Sequence, residues 1–445
     1  MRRSIVDMKI LVFISRLIVG SLFIVSGLIK ANDPTGFSYK LEDYFAPDVL
    51  GMEWMIPFAL SLAVVISVIE IIIGVSIILG TKMRSTSNLL LGMILFFTFL
   101  TFYSAYFDKV TDCGCFGDAL KLTPWQSFYK DLVLLVLTLI IWINRNSISI
   151  NSDKENKTLI ALSIITTSSF SVLVINWVFP IVFSAIIFIV IVLLKKTPFF
   201  RNNYSISSMA ITGIACMLFV AHVMNHLPIR DFRPYAIGKN INEGMKTCDE
   251  LDLKCPEYQV VYTLEKKSSE EIIKMTSQDY IDEKIWEDTN YVLIADETES
   301  ILIDKGYTPP IHDFSITSYE GEDFTQPILE EKGYTFLVIA YDLTNSNNIE
   351  ASKHINEIAS DAEQAGYNII GLTSSTYEAT DEFRHNVQAM YNYYTTDEKT
   401  LKTIIRSNPG MVLIKEGIII NKWHYKDLPS ASQLIDKEKS ILIKS

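Results

Sequence analysis

The first 226 residues are dominated by apolar runs long enough to cross a bilayer, which limits the fold of this half before any motif is read. A spanning helix takes roughly 20 largely apolar residues, because ~30 Å of hydrocarbon is crossed at ~1.5 Å per residue. Four such runs lie at about 9–29, 55–79, 87–107 and 124–143. A longer stretch, TLIALSIITTSSFSVLVINWVFPIVFSAIIFIVIVLL, exceeds one span and is broken around Asn176–Pro180. It reads as a helical hairpin, roughly 158–176 and 178–194, and a weaker span at about 207–226 brings the expected number to seven. The first run is longer than the ~7–15 residues of a signal-peptide core and no A-x-A pattern follows it, so it is read as an anchor.

Charge divides the chain at the same place. Residues 1–226 hold 17 Lys and Arg against 13 Asp and Glu, whereas the remainder holds 22 against 38. So acidic a surface repels phosphate backbones, and nucleic acid is excluded as a partner. With the amino terminus in the cytoplasm, Arg2, Arg3, Lys9, Lys82, Arg84, Arg145, Lys154, Lys157, Lys195, Lys196 and Arg201 fall inside. Only Lys30, Lys40, Lys109 and Lys121 then fall in the outer loops. The positive-inside bias therefore predicts a multi-pass membrane protein, in contact with lipid, with its C-terminal half outside the cytoplasm, in the periplasm if the cell is Gram-negative.

That orientation puts Cys113-Gly114-Cys115 in an outward loop, where a disulfide is permitted. A bridge between cysteines two apart closes a very small ring, and Gly114 best tolerates the distortion. Strained disulfides are the labile and catalytic ones, so a paired Cys113–Cys115 would suit exchange chemistry. Two other readings stay open: a metal site, which lacks His and further Cys nearby, and two inert cysteines packed as small hydrophobes. Asp131, entering the fourth span just below the loop, is the candidate for proton handling beside the thiols; its neighbour Lys130 can snorkel to the interface. Arg16 and Glu70 lie within the first two spans at similar expected depth and are predicted to form an interhelical ion pair. No residue pattern indicates a cofactor, and none supports a quinone acceptor. A transporter is disfavoured by the absence of a visible inverted repeat.

Residues 1–145 resemble the MauE/DoxX group of bacterial four-helix membrane proteins. The resemblance rests on Arg16-Leu-Ile-Val-Gly-Ser-Leu-Phe23, Ser26-Gly-Leu-Ile-Lys30, Asp33-Pro34, Glu70, and DCGCFGD before Pro124-Trp125. It implies a redox-linked accessory role in maturing exported proteins; in methylamine utilisation, MauE supports assembly of a disulfide-rich subunit. An exported thiol protein or a periplasmic oxidoreductase would then be the partner. The alternative is a membrane-anchored assembly scaffold without thiol chemistry.

In the outer half, 227–310 reads as a small β-rich connector, with strand-like runs at Tyr258–Leu264 and Tyr291–Ala295 and a candidate structural disulfide, Cys248–Cys255. From 311 onward, strands and helices alternate. Expected are buried strands at 334–342 and 367–375, helices at 352–366 and up to about 389, a hairpin over 408–425 and a last helix at 428–438. This order resembles a thioredoxin-like domain of the TlpA type, with Pro409 where that family carries its cis-proline. No cysteine follows Cys255, so dithiol exchange by this domain is excluded. A peptide-holding groove beside Pro409, or a plain spacer, remains. His312, His354, His385 and His424 show no ligand spacing. The expected architecture is a helical membrane bundle of about seven spans (1–145 as the four-helix core, 146–226 as added helices) plus the connector and an α/β thioredoxin-like domain at 311–445.

Overall fold

The computed structural model describes residues 2–107, 109–110 and 114–429. Cys113 and most of the expected last helix therefore lie outside the described residues. Helix α1 (Arg2–Asn32) runs about 46 Å at 1.5 Å per residue. A short helix, α2 (Pro34–Phe45), follows at once, started by Asp33, whose carboxylate accepts from the Gly36 amide at 2.8 Å. Helices α3 (Ala59–Leu79), α4 (Met83–Phe107), α5 (Pro124–Ile143), α6 (Asp153–Leu173), α7 (Phe179–Leu194), α8 (Pro198–Asn202) and α9 (Tyr204–Asn225) complete the bundle. The helices of α1, α3, α4, α5 and α9, α3 with the turn before it, are long and apolar enough to cross a membrane; α7 is apolar but shorter. The hairpin breaks at 174–178, where Asn176 takes φ +48° and Trp177 buries its ring against Phe179 and Phe232.

Helices α1 and α3 pack almost backbone to backbone. A Cβ at Gly27 would stand 2.6 Å from Ile71 and 2.9 Å from the Ser67 carbonyl, and one at Gly74 would stand 2.7 Å from the Gly20 carbonyl. Apolar lipid supplies no hydrophobic force between helices, so close approach through small residues is what holds such a seam.

Beyond α9, α10 (Ile241–Met245) precedes a four-stranded antiparallel sheet of β1 (Glu257–Lys266), β2 (Glu271–Thr276), β3 (Tyr291–Leu293) and β4 (Glu299–Asp304), with α11 (Ser277–Asp282) between strands. A Cys248–Cys255 disulfide closes the loop before β1. Then come α12 (Thr325–Leu329), β5 (Tyr334–Ile339), α13 (Ser346–Gln364), β6 (Asn368–Thr373), α14 (Tyr377–Val387), β7 (Tyr393–Thr395), α15 (Glu398–Ile404), β8 (Gly410–Lys415) and β9 (Ile418–His424). The second sheet is ordered β7-β6-β5-β8-β9; β5, β6 and β7 are parallel, and β8 and β9 antiparallel to their neighbours. That is the thioredoxin-like topology. Strand β5 is buried on both faces, Phe336 and Val338 against α13, Leu337 and Ile339 against α15 and the incoming linker, which accounts for its unbroken apolar run.

The linker corrects the expected boundary at 311. Tyr235 and Ile241 enter the core of the second sheet, and the Gly238 amide donates to the Ile419 carbonyl at 2.7 Å. Residues 231–245 thus belong to the thioredoxin-like body, with the smaller sheet inserted after them. A buried clamp fixes the junction: Asp231 accepts from Arg233 (2.7 and 2.9 Å) and from Lys422 (2.7 Å). Burial and the nearby Arg233 cation draw the Lys422 ammonium down to about 7. His424 is pushed down to about 4, by burial above all, and its Nδ1 accepts from the Lys426 amide at 3.2 Å.

Two outcomes are expected. Gly27→Leu should force α1 and α3 apart and destabilise the bundle by about 1–3 kcal/mol, read as a lower melting temperature in detergent. His424 is held neutral in the fold and binds a proton at about 6.5 when unfolded, so its contribution is complete above that pH and is lost on acidification toward 4. Chemical denaturation between pH 6.5 and 4 should therefore show a steeper loss for the wild type than for His424→Gln.

Candidate functional site

The cysteine loop turns on two left-handed glycines, Gly114 at φ +65° and Gly117 at φ +49°, with the Gly117 amide donating to the Gly114 carbonyl at 3.1 Å. Only glycine enters that region at little steric cost, which accounts for C-G-C-F-G. The turn drives Cys115 and Phe116 inward, and both are buried. The Phe116 ring meets Phe170 of α6 at 5.5 Å.

Beneath Cys115 lies a small cavity of about 30 Å³, lined by Ser26, Lys30, Glu70, Lys130 and Asp131 among apolar side chains. It has room for a water molecule. On one side Lys30 Nζ donates to Glu70 Oε1 at 2.6 Å and to Ser26 Oγ at 2.9 Å. The Ser26 hydroxyl stands 3.0 Å from Glu70 Oε2 and 3.1 Å from the Cys115 carbonyl. Both charged side chains are 2% exposed, so neither can exchange its partner for water. The Phe97 and Phe37 rings, 4.9 and 5.4 Å from Lys30 Nζ, complete the ammonium's surroundings. On the other side Lys130 Nζ lies 2.9 Å from Asp131 Oδ1 and 5.0 Å from the Phe116 ring centre, and lines the cavity with Cys115.

The expected Arg16–Glu70 pair is not formed. Glu70 faces Gly27 across the seam, about 16 Å along α1 from Arg16 at 1.5 Å per residue. Arg16 instead donates to the carbonyls of Ile77 and Ile78 at 2.9 and 3.0 Å and to Asn151 Oδ1 at 2.8 Å, tying the end of α3 to the start of α6. Counting depth from assumed span ends displaced the register. The residue that was missed is Lys30, whose signal was local: Ser26 and Lys30 are four apart and share one helix face. Asp131, expected beside the thiol, contacts Lys130, and both line the cavity beneath Cys115.

The thioredoxin-like domain sits on this loop. Arg406 Nε reaches both oxygens of Asp33, at 3.0 and 2.9 Å, and Arg406 Nη2 stands 3.7 Å from Asp118 Oδ2, just past the cysteines. Gly36 makes room, since a Cβ there would lie 2.6 Å from Arg406 Nη2. Tyr39 of α2 hydrogen-bonds Tyr341 at the end of β5, and Lys402 Nζ lies 4.9 Å from the Tyr39 ring centre. Closer to the bilayer, His226 Nδ1 meets Asp427 at 2.7 Å and Lys426 donates to Asn225 at 2.6 Å. Pro409, which follows a cis peptide, is buried. The neighbouring Asn408 side chain is turned onto the Asp342 carbonyl at 2.8 Å. The expected groove beside Pro409 lies near Arg406, which pairs with Asp33 and Asp118 of the membrane module.

A bundle of membrane helices joined to a thioredoxin-like domain is the class that this fold defines. Residues 8–144 match the family described as methylamine utilisation protein MauE, so the N-terminal part is MauE-like. No curated protein matches the chain. Similar solved structures include the thioredoxin domain of a thiol-disulfide oxidoreductase from Bacteroides vulgatus, 14% identical, covering 28% of this chain and 90% of that one at a TM-score of 0.24. Another is a thiol:disulfide interchange protein from Bacteroides sp., also 14% identical, covering 28% and 84% at 0.24.

Breaking a buried pair strands a charge, so Glu70→Leu and Lys30→Met should each destabilise by about 3–5 kcal/mol. The double variant Lys30→Met, Glu70→Leu should recover much of that. A thermal-melting double-mutant cycle on the purified full chain measures the coupling.

Proposed function

We propose that this protein is a multi-pass inner-membrane accessory factor for thiol–disulfide handling of exported proteins, with Cys113 and Cys115 as its exchanging pair. The observation that carries the reading is the placement of Cys115, buried over a polar cavity that the Lys130 ammonium also lines. An ammonium there favours negative charge on sulfur, the form that attacks and leaves in disulfide exchange. Burial makes Cys115 the resolving member. A Cys113 thiolate attacks a client disulfide, forming a mixed disulfide and expelling one client thiolate. Cys115 then attacks Cys113, expels the second client thiolate and closes the pair. Two electrons pass to the client, its two thiolates take up protons, and the reverse sequence oxidises a client dithiol. The amino terminus is cytoplasmic in this proposal, with the loop and the outer domain periplasmic.

A second reading rests on the docked outer domain, whose thioredoxin-like sheet carries no cysteine: an adaptor held over the loop by Arg406, with no thiol chemistry. One experiment separates the two. Cys115→Ser should accumulate a reducible mixed disulfide on Cys113, and Cys113→Ser should accumulate none. A membrane-impermeant maleimide applied to intact cells should label the pair from outside after reduction. If neither variant traps a client and both support normal maturation of exported disulfide proteins, the exchange reading fails and the adaptor stands.

A further inference from the structure

At the end of the bundle away from the cysteine loop, α6 and α7 leave a cleft of about 780 Å³ between them. Its walls are apolar, with Ile160 and Ile164 on α6 and Ile189 and Val192 on α7. Its rim is basic: Lys157, Lys195, Lys196 and Arg201 line it against a single carboxylate, Asp153. Asp153 is already taken by Lys195 at 2.8 Å. Among the described residues, none of the other three cations has a carboxylate within ion-pairing distance. The exposed Phe199 beside them suits the headgroup level, where aromatic rings collect.

The geometry points to a binding site for an anionic phospholipid, its phosphodiester held by Lys157, Lys196 and Arg201 and its acyl chains laid between α6 and α7. A water-soluble anion would leave the apolar walls unused, and a zwitterionic lipid would leave the excess positive charge unmatched. Basic pockets between membrane helices select anionic headgroups for this reason. The site also bears on the bundle. Asn156 lines the cleft and its side-chain carbonyl accepts from Asn151 at 3.0 Å, and Asn151 in turn accepts from Arg16. A lipid seated here therefore braces the hairpin against the end of the α1–α3 seam.

The test is native mass spectrometry of the full chain, released from mixed micelles holding equal phosphatidylglycerol and phosphatidylcholine with the same acyl chains. The wild type should retain phosphatidylglycerol in preference. The Lys157→Gln, Lys196→Gln, Arg201→Gln variant should lose that preference by about fivefold per charge removed. Lys9→Gln with Lys154→Gln, basic positions outside the cleft, should leave it intact. Ala161→Trp, which fills the cleft without altering charge, should lower retention of phosphatidylglycerol. Equal retention of the two lipids by the wild type overturns the proposal. So does a loss in the control pair matching that of the triple variant, or unchanged retention in Ala161→Trp.

Discussion

A buried ammonium–carboxylate contact, Lys30 to Glu70, organises the membrane half. Placing two charges among apolar helices is costly, and the attraction repays it only when geometry and extra hydrogen bonds are in place. Both conditions are met. The glycine seam brings α1 and α3 close enough for a 2.6 Å contact, and Ser26 occupies the remaining carboxylate oxygen. Because the same hydroxyl reaches the Cys115 carbonyl, the pair also sets the height at which the cysteine loop rests.

The two parts divide what thioredoxin-like proteins combine. Sulfur sits in the membrane module's loop, whereas the thioredoxin-like sheet carries no cysteine. Arg406, a few residues before Pro409, makes the join by standing between a carboxylate of the α1–α2 junction and one of the cysteine loop. Any change in the loop's shape at Asp118 is thereby felt by the thioredoxin-like domain.

Much of the fold was legible in the sequence, because period and length report local structure. The expected strand over 334–342 is β5 at Tyr334–Ile339, the hairpin over 408–425 is β8 and β9, and the break near Asn176 separates α6 from α7. Strand β7, three residues long, was too short to show a period, and β2 and β4, largely exposed, lacked an apolar face to announce them. At the site, the cysteine loop and Glu70 stood out by residue type alone. Glu70's partner did not, since register between helices depends on where α1 begins, and α1 begins earlier than its apolar run. Contacts such as Asp33–Arg406, 373 residues apart, leave no local trace at all.

The short tether 226–230, between the end of α9 and the Asp231 clamp, has a consequence for how strongly the thioredoxin-like domain must hold. A domain on so short a leash meets its docking surface at an effective concentration in the millimolar range. A contact too weak to unite two separate molecules is then enough to keep the domain docked. The links around Arg406 and His226, joined by the reciprocal Asn32–Arg230 hydrogen bonds at 2.8 and 3.3 Å, need only be strong enough to favour the docked arrangement.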